Sequence, residues 1–239
     1  MVRGATKSAR HKPTRYAAVF AALAVAVAVQ LHWERIEEAF GFGGPSAAQA
    51  GQQLGLRVVE TRPRARDYRR SEFGEAWTDD TDAPLGRNGC DTRNDVLDRD
   101  LTHKQYVAIR RCPQAVASGD LHDPYTGRWV HFQRGKDTSA KVQIDHIVPL
   151  AYAWDMGARN WAPEVRRRFA NDPANLVAVD GDANEDKGDQ PPGLWMPKEE
   201  AFRCPYARQF AAVAKAYDLA VDARSAKVIA KTVQECPAG

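Results

Sequence analysis

Within this chain of 239 residues, the segment Ile144-Asp145-His146-Ile147-Val148-Pro149 carries the residue types best able to do chemistry. It sets a carboxylate, an oxygen donor suited to a hard cation, beside an imidazole, a base that titrates near neutrality. The pair stands at the end of Lys141-Val142-Gln143-Ile144, whose alternating β-branched residues predict a strand, and Pro149 ends the ladder there. Adjacent strand residues point to opposite faces. Asp145 and His146 can therefore serve one metal and one substrate together only where the strand twists into a loop. Downstream, Asn175 opens a second predicted strand, Asn175-Leu176-Val177-Ala178-Val179, and a short helix is expected from about Asp182. Asn184 and Lys187 are three residues apart on that helix, which puts them on one side of it. In isolation, Asp145 and His146 more readily describe a strand-end turn beside a satisfied histidine, and only the residues downstream reverse that balance.

The elements that must position these residues follow from periodicity and turn chemistry. Asp123-Pro124-Tyr125-Thr126-Gly127 reads as a turn leading into a strand over Arg128–Phe132, with Lys141–Ile144 as its expected hairpin partner. Thr92–Leu101 predicts a short helix capped by Asp91 or Thr92. Two helical segments are expected after Pro149 and near Pro163–Phe169. Phe202, Tyr206, Phe210, Val213 and Tyr217 recur at intervals of three and four, so residues 199–217 predict an amphipathic helix with residues 222–235 as its antiparallel partner. Trp154, Trp161 and Trp195 are expected in the core. No internal repeat, Gly-rich phosphate loop or Gly-x-Ser-x-Gly elbow occurs, which removes several common enzyme classes.

Four cysteines, Cys90, Cys112, Cys204 and Cys236, include no Cys-x-x-Cys spacing and suit two disulfides of an exported protein. Of the three possible connectivities, Cys90 with Cys112 and Cys204 with Cys236 each close a local loop. The second would also join the near ends of the helical hairpin. Residues 3–15 hold five basic residues and no acid, and an apolar run from Tyr16 to Val29 follows. This pattern predicts a signal peptide or membrane anchor over 1–33, and both fit its length. Residues 34–84, rich in Gly, Ala, Arg and Pro, read as a partly disordered linker before a domain at 85–239. Residues 1–70 carry 12 basic against 5 acidic side chains, and residues 71–239 carry 22 against 26. The folded part is thus mildly acidic and does not advertise a tight nucleic-acid binder. Arg166, Arg167 and Arg168 are its densest basic cluster, either a backbone-binding patch or a solvated helix face.

Over residues 88–236 the sequence resembles the HNH endonucleases of the ββα-metal fold. It is closer still to the C-terminal nuclease domain of GmrSD-type restriction enzymes and its secreted actinobacterial relatives. The resemblance rests on Cys90-Asp91-Thr92-Arg93, Pro124-Tyr125-Thr126-Gly127, Asp145-His146, Phe169-Ala170-Asn171-Asp172-Pro173, Asn175, Asn184 and Lys187-Gly188-Asp189. It implies an α+β fold, a ββα nuclease core with additional helices. It further implies that His146 takes a proton from an attacking water, that Asn175 holds the His146 loop, and that Asp145 and Asn184 hold one divalent cation. Mg²⁺ is favoured and Mn²⁺ should substitute, since Asn184 stands where a second metal-binding His often occurs. Lys187 would reach the scissile phosphate or its neighbour, and the substrate would be nucleic acid, DNA in preference to RNA. Two rival readings keep the same residues: a catalytically silent binding module on this scaffold, and a cytosolic restriction component with free thiols.

Overall fold

The computed structural model describes residues 45–237, so the expected signal or anchor over 1–33 lies outside the described residues. Among the described residues no helix is long and apolar enough to cross a membrane.

The chain runs α1 (Ala47–Leu54), β1 (Val58–Val59), a 3-10 turn at Arg70–Phe73, α2 (Thr92–Asp100), β2 (Thr102–Ile109), β3 (Cys112–His122), β4 (Trp129–Gln133) and β5 (Val142–His146). It continues through α3 (Leu150–Met156), α4 (Pro163–Asn171), β6 (Leu176–Asp180), α5 (Gly181–Lys187), α6 (Glu200–Ala216), β7 (Val221–Asp222) and α7 (Ala223–Glu235). The fold is α+β with three small sheets: β1 beside β7 in parallel, β2-β3-β4 antiparallel, and β5 beside β6 antiparallel.

The β5/β6 pair divides two apolar clusters. Val142, Ile144, Leu176 and Ala178 pack with Val96, Leu97, Leu121 and Phe132, beneath α2 and the three-stranded sheet. Val177 and Val179 face the larger cluster built from α3, α4, α6 and α7. Burial on both faces explains why the sequence of β6 is a continuous apolar run rather than an alternating one. The unit β5, β6, α5 is the expected ββα arrangement, with α3 and α4 inserted between its strands.

Several expectations match. Asp91 caps α2 by accepting from the Asn94 amide, and α6 and α7 pair as predicted. Both disulfides join the expected partners, Cys90–Cys112 and Cys204–Cys236, with Cα separations of 4.5 and 5.7 Å. Residues 128–132 and 141–144 do not form a hairpin. β4 pairs with β3, while β5 pairs with β6, placing Ile144 opposite Ala178 and His146 opposite Leu176. The long β2/β3 hairpin went unpredicted: β2 is largely exposed and its pairing carries three register shifts, so its side chains show no clean alternation.

The expected linker over 34–84 gives way over its described part, because the compact unit begins at Pro45. α1 packs on α7, and Phe73 is buried in the larger cluster. Arg62 ties the segment down by donating to Asp155 at 2.6 Å and to Asp189 at 2.8 Å. A composition rich in Arg and Gly reads as solvated chain, but here Arg62 is itself buried against Asp155.

Candidate active site

β5 brings Asp145 and His146 to one end of the β5/β6 pair, and their side chains leave the strand on opposite faces, as strand geometry requires. Both nevertheless line one open cleft of about 480 Å³, together with Tyr68, Arg70, Gln143 and Asn184. The loop beyond the strand permits this. Ile147 donates its amide to the Asn175 carbonyl at 2.8 Å, and the Asn175 side chain accepts from the Val148 amide at 2.8 Å. The same side chain donates to the Val148 carbonyl at 3.3 Å. Asn175 is wholly buried and clamps the turn that follows His146.

His146 Nε2 lies 2.9 Å from the Ala170 carbonyl oxygen. A carbonyl only accepts, so Nε2 carries the proton and Nδ1 remains as the acceptor of the ring. Trp77 stacks on the imidazole with ring centroids 5.5 Å apart and planes 11° from parallel. Burial pushes the His146 pKa down to about 3, against the hydrogen bond to Ala170 and reinforced by the positive charges of Arg70 and Lys187. The imidazole is therefore neutral at physiological pH.

Asp145 is 6% exposed, and its Oδ2 is held twice, by the Lys187 ammonium at 2.7 Å and the Tyr125 hydroxyl at 2.5 Å. Lys187 also donates to the His146 carbonyl at 2.9 Å and has no exposed surface. The expectation that Lys187 reaches a phosphate is thus corrected: its position at the end of α5 turns it under β5, where it pins the backbone and carboxylate of the pair. Burial pulls the Lys187 pKa below its usual range, opposed by the Asp145 carboxylate. Tyr125 is placed by the Asp123–Gly127 turn, in which buried Asp123 accepts from the amides of Thr126 and Asp180. Gly127 has φ +72°, a left-handed conformation that favours glycine.

Asn184, half-buried on α5, donates from Nδ2 to Gln143 Oε1 at 2.7 Å. Asp145 Oδ1 and Asn184 Oδ1 take part in no hydrogen bond among the described residues. Both belong to side chains of the cleft, and their hard oxygens match the donor set of a divalent cation such as Mg²⁺ or Mn²⁺. Among the described residues no group of three or more His, Cys, Asp and Glu could hold a metal.

The arginine cluster does not form a shared surface. Arg166 is buried, donating to the carbonyls of Glu72 and Trp161 beneath the Trp154 ring. Arg167 packs along Gly74, and only Arg168 extends outward, 3.6 Å from Asp82. Helical spacing distributes three consecutive residues around the axis, so one of them had to face the core. Sequence reasoning missed Tyr68, Arg70, Trp77, Tyr125 and Gln143. A tertiary route alone brings the first three to the cleft. Tyr125 carried a signal, since it stands in the Pro-Tyr-Thr-Gly block of the resemblance.

Comparison with known proteins gives two matches. A family model described as "GmrSD restriction endonucleases, C-terminal domain" matches residues 91–232. A protein of Arthroderma benhamiae named "Uncharacterized secreted protein" is 33% identical over 195 residues, 80% of this chain and 87% of that protein. No solved structure gives a significant match.

Proposed function

The chain belongs to the family of GmrSD restriction endonuclease C-terminal domains, and from that premise we propose that it is an exported, divalent-cation-dependent endonuclease. Its reaction is hydrolysis of phosphodiester bonds, in DNA first, with low sequence specificity. The observation that carries this reading is the placement of His146: Nε2 faces the Ala170 carbonyl, Nδ1 takes part in no hydrogen bond among the described residues, and the ring lies on the wall of a polar cleft beside Asp145.

His146 Nδ1 accepts a proton from water as the water oxygen bonds to phosphorus, and the P–O bond to the leaving sugar oxygen breaks in line. The leaving oxygen takes its proton from solvent. Asn175, Trp77 and the Ala170 carbonyl hold the ring so that the basic nitrogen does not rotate away. Asp145 Oδ1 and Asn184 Oδ1 would hold a divalent cation, which when bound offsets charge on the phosphate and leaving oxygen. Lys187 and Tyr125 orient Asp145 from below, leaving its second oxygen for that ion.

Two disulfides suit an oxidising compartment, and the fungal relative is named as secreted, so we place the protein outside the cytoplasm. The mildly acidic domain limits phosphate neutralisation and hence affinity, which supports a transient, weakly selective grip on the substrate.

The test is digestion of supercoiled plasmid and of single-stranded RNA by the disulfide-intact protein with Mg²⁺, Mn²⁺ or EDTA, beside His146→Ala. Cleavage abolished by EDTA and by the substitution is expected. Cleavage that survives His146→Ala would remove the assigned base, and a folded, metal-supplied protein that cuts neither polymer would defeat the reading.

A further inference from the structure

A second chamber adjoins the cleft. Its volume is about 220 Å³, and it is lined by Arg70, Phe73, Trp77, His146, Leu150 and Ala170. The two cavities share Arg70, Trp77, His146 and Leu150. They differ in chemistry. The cleft holds the carboxylate, amides and charges around Asp145, whereas the chamber is walled mostly by aromatic and aliphatic side chains, with Ser71 and Glu75 on its rim side and one guanidinium, Arg70, shared with the cleft. The chamber is built by residues 70–77, which precede the segment matched by the family model at residue 91.

The wall is held under constraint. Trp77 adopts φ +58°, a left-handed conformation that bulky residues rarely adopt, and its carbonyl accepts from the Thr92 amide at 3.2 Å. This geometry keeps the indole parallel to the His146 ring and on both cavities. Phe73 is anchored in the larger cluster, with aromatic neighbours Tyr68, Trp154 and Phe169.

We propose that this chamber is a nucleobase subsite, taking the base of a nucleotide that flanks the scissile phosphate while Arg70 binds the adjoining backbone phosphate. The proposal rests on the nuclease reading above and names how that site holds its substrate. An apolar aromatic recess suits a flat base of any identity, since every base presents a π-face and stacking is tolerant of sequence. Arg70 suits a phosphate through its paired N–H donors. It also supplies the cation that Lys187, buried beneath β5, does not present to the cleft. Binding here would order the backbone across His146 without base-specific hydrogen bonds, consistent with low specificity.

Two matched single strands test it: a thymidine octamer and an octamer of abasic residues with the same backbone. Wild type should cleave the thymidine strand with a kcat/KM about tenfold or more above the abasic strand. Ala76, exposed on the chamber wall, offers a filling variant. Ala76→Trp should reduce the preference to less than about threefold, because it lowers kcat/KM on the thymidine strand far more than on the abasic strand. Arg70→Ala should weaken both strands alike and lower the slope of log KM against log salt by about 0.7, the loss of one phosphate contact on a single strand. The same preference should appear without catalysis, as tighter binding of the fluorescently labelled thymidine strand in EDTA. Equal handling of both strands by wild type overturns the proposal, as does a preference that persists in Ala76→Trp. Absence of cleavage with a binding preference that Ala76→Trp removes would defeat the nuclease reading and keep the base subsite; absence of both defeats the subsite as well.

Discussion

Lys187→Met removes the ammonium that links α5 to β5 while preserving most of the stem. In the wild type that ammonium is fully buried, 2.7 Å from Asp145 and 2.9 Å from the His146 carbonyl. The substitution strands a carboxylate of 6% exposure with Tyr125 as its remaining partner, and it leaves a buried carbonyl short of a donor. Breaking one side of a buried ion pair costs about 3–5 kcal/mol. For a domain of this size each kcal/mol corresponds to about 2–4 °C, so the melting temperature should fall by roughly 6–20 °C. Urea unfolding at pH 7 with disulfides intact would measure the free energy directly. Asp145→Asn removes the other charge, and the double variant should be more stable than the sum of the single losses predicts, by about 1–3 kcal/mol. A loss below about 1 kcal/mol in Lys187→Met, with additive behaviour in the cycle, would refute the claim that Lys187 supports Asp145 from beneath. Nuclease assays on the same proteins separate stability from positioning. At a temperature where Lys187→Met remains folded, kcat should still fall, because Asp145 and the His146 backbone lose their common anchor.

Other consequences follow from particular contacts. Asn175→Ala deprives the buried Val148 amide of its acceptor and should destabilise by about 1–3 kcal/mol, with a drop in kcat larger than any change in KM; an unchanged kcat in calorimetrically folded protein would separate the clamp from catalysis. Each disulfide closes a short loop, with sequence separations of 22 and 32, worth about 3–4 kcal/mol in the chain-entropy model. Scanning calorimetry of Cys90→Ser/Cys112→Ser and of Cys204→Ser/Cys236→Ser should therefore show clear losses, and a pair without effect would contradict the chain-entropy account. Asp95 on α2 has its pKa raised to about 6, first by burial and then by Asp79, Asp91 and Asp98, against the Asn88 hydrogen bond. The folded state then binds the proton more tightly than the unfolded chain, so stability falls as pH rises from about 4 to 6. Asp95→Asn should stabilise the protein at pH 7 by about 1 kcal/mol after allowance for solvent screening and lose that advantage near pH 4. An advantage of equal size at both pH values would exclude ionisation as its cause.

Local chemistry made much of the site legible. The strand ending in Asp145-His146, the strand from Leu176 and the helix bearing Asn184 arise where short-range pattern predicts them. The Asp91 cap and the α6/α7 hairpin depend on hydrogen bonds and periodicity within about twenty residues, and that hairpin brings Cys204 beside Cys236. Other features depended on contacts distant in sequence. Pairing by proximity joined β4 to β5, whereas pairing β5 with β6 across the α3 and α4 insertion lets both faces of the pair be buried, one against each apolar cluster. The segment 45–84 has the composition of a linker, yet Arg62 finds Asp155 and Asp189 some 90 and 130 residues away, and that anchoring carries Arg70 and Trp77 to His146. The sequence alone determined which groups could accept a proton or hold a cation, because acidity and donor type belong to the residue. Tertiary structure alone decided which nitrogen of His146 faces the Ala170 carbonyl, that Lys187 faces inward, and that an aromatic chamber opens beside the imidazole, because desolvation and hydrogen-bond geometry depend on neighbours the chain order does not place together.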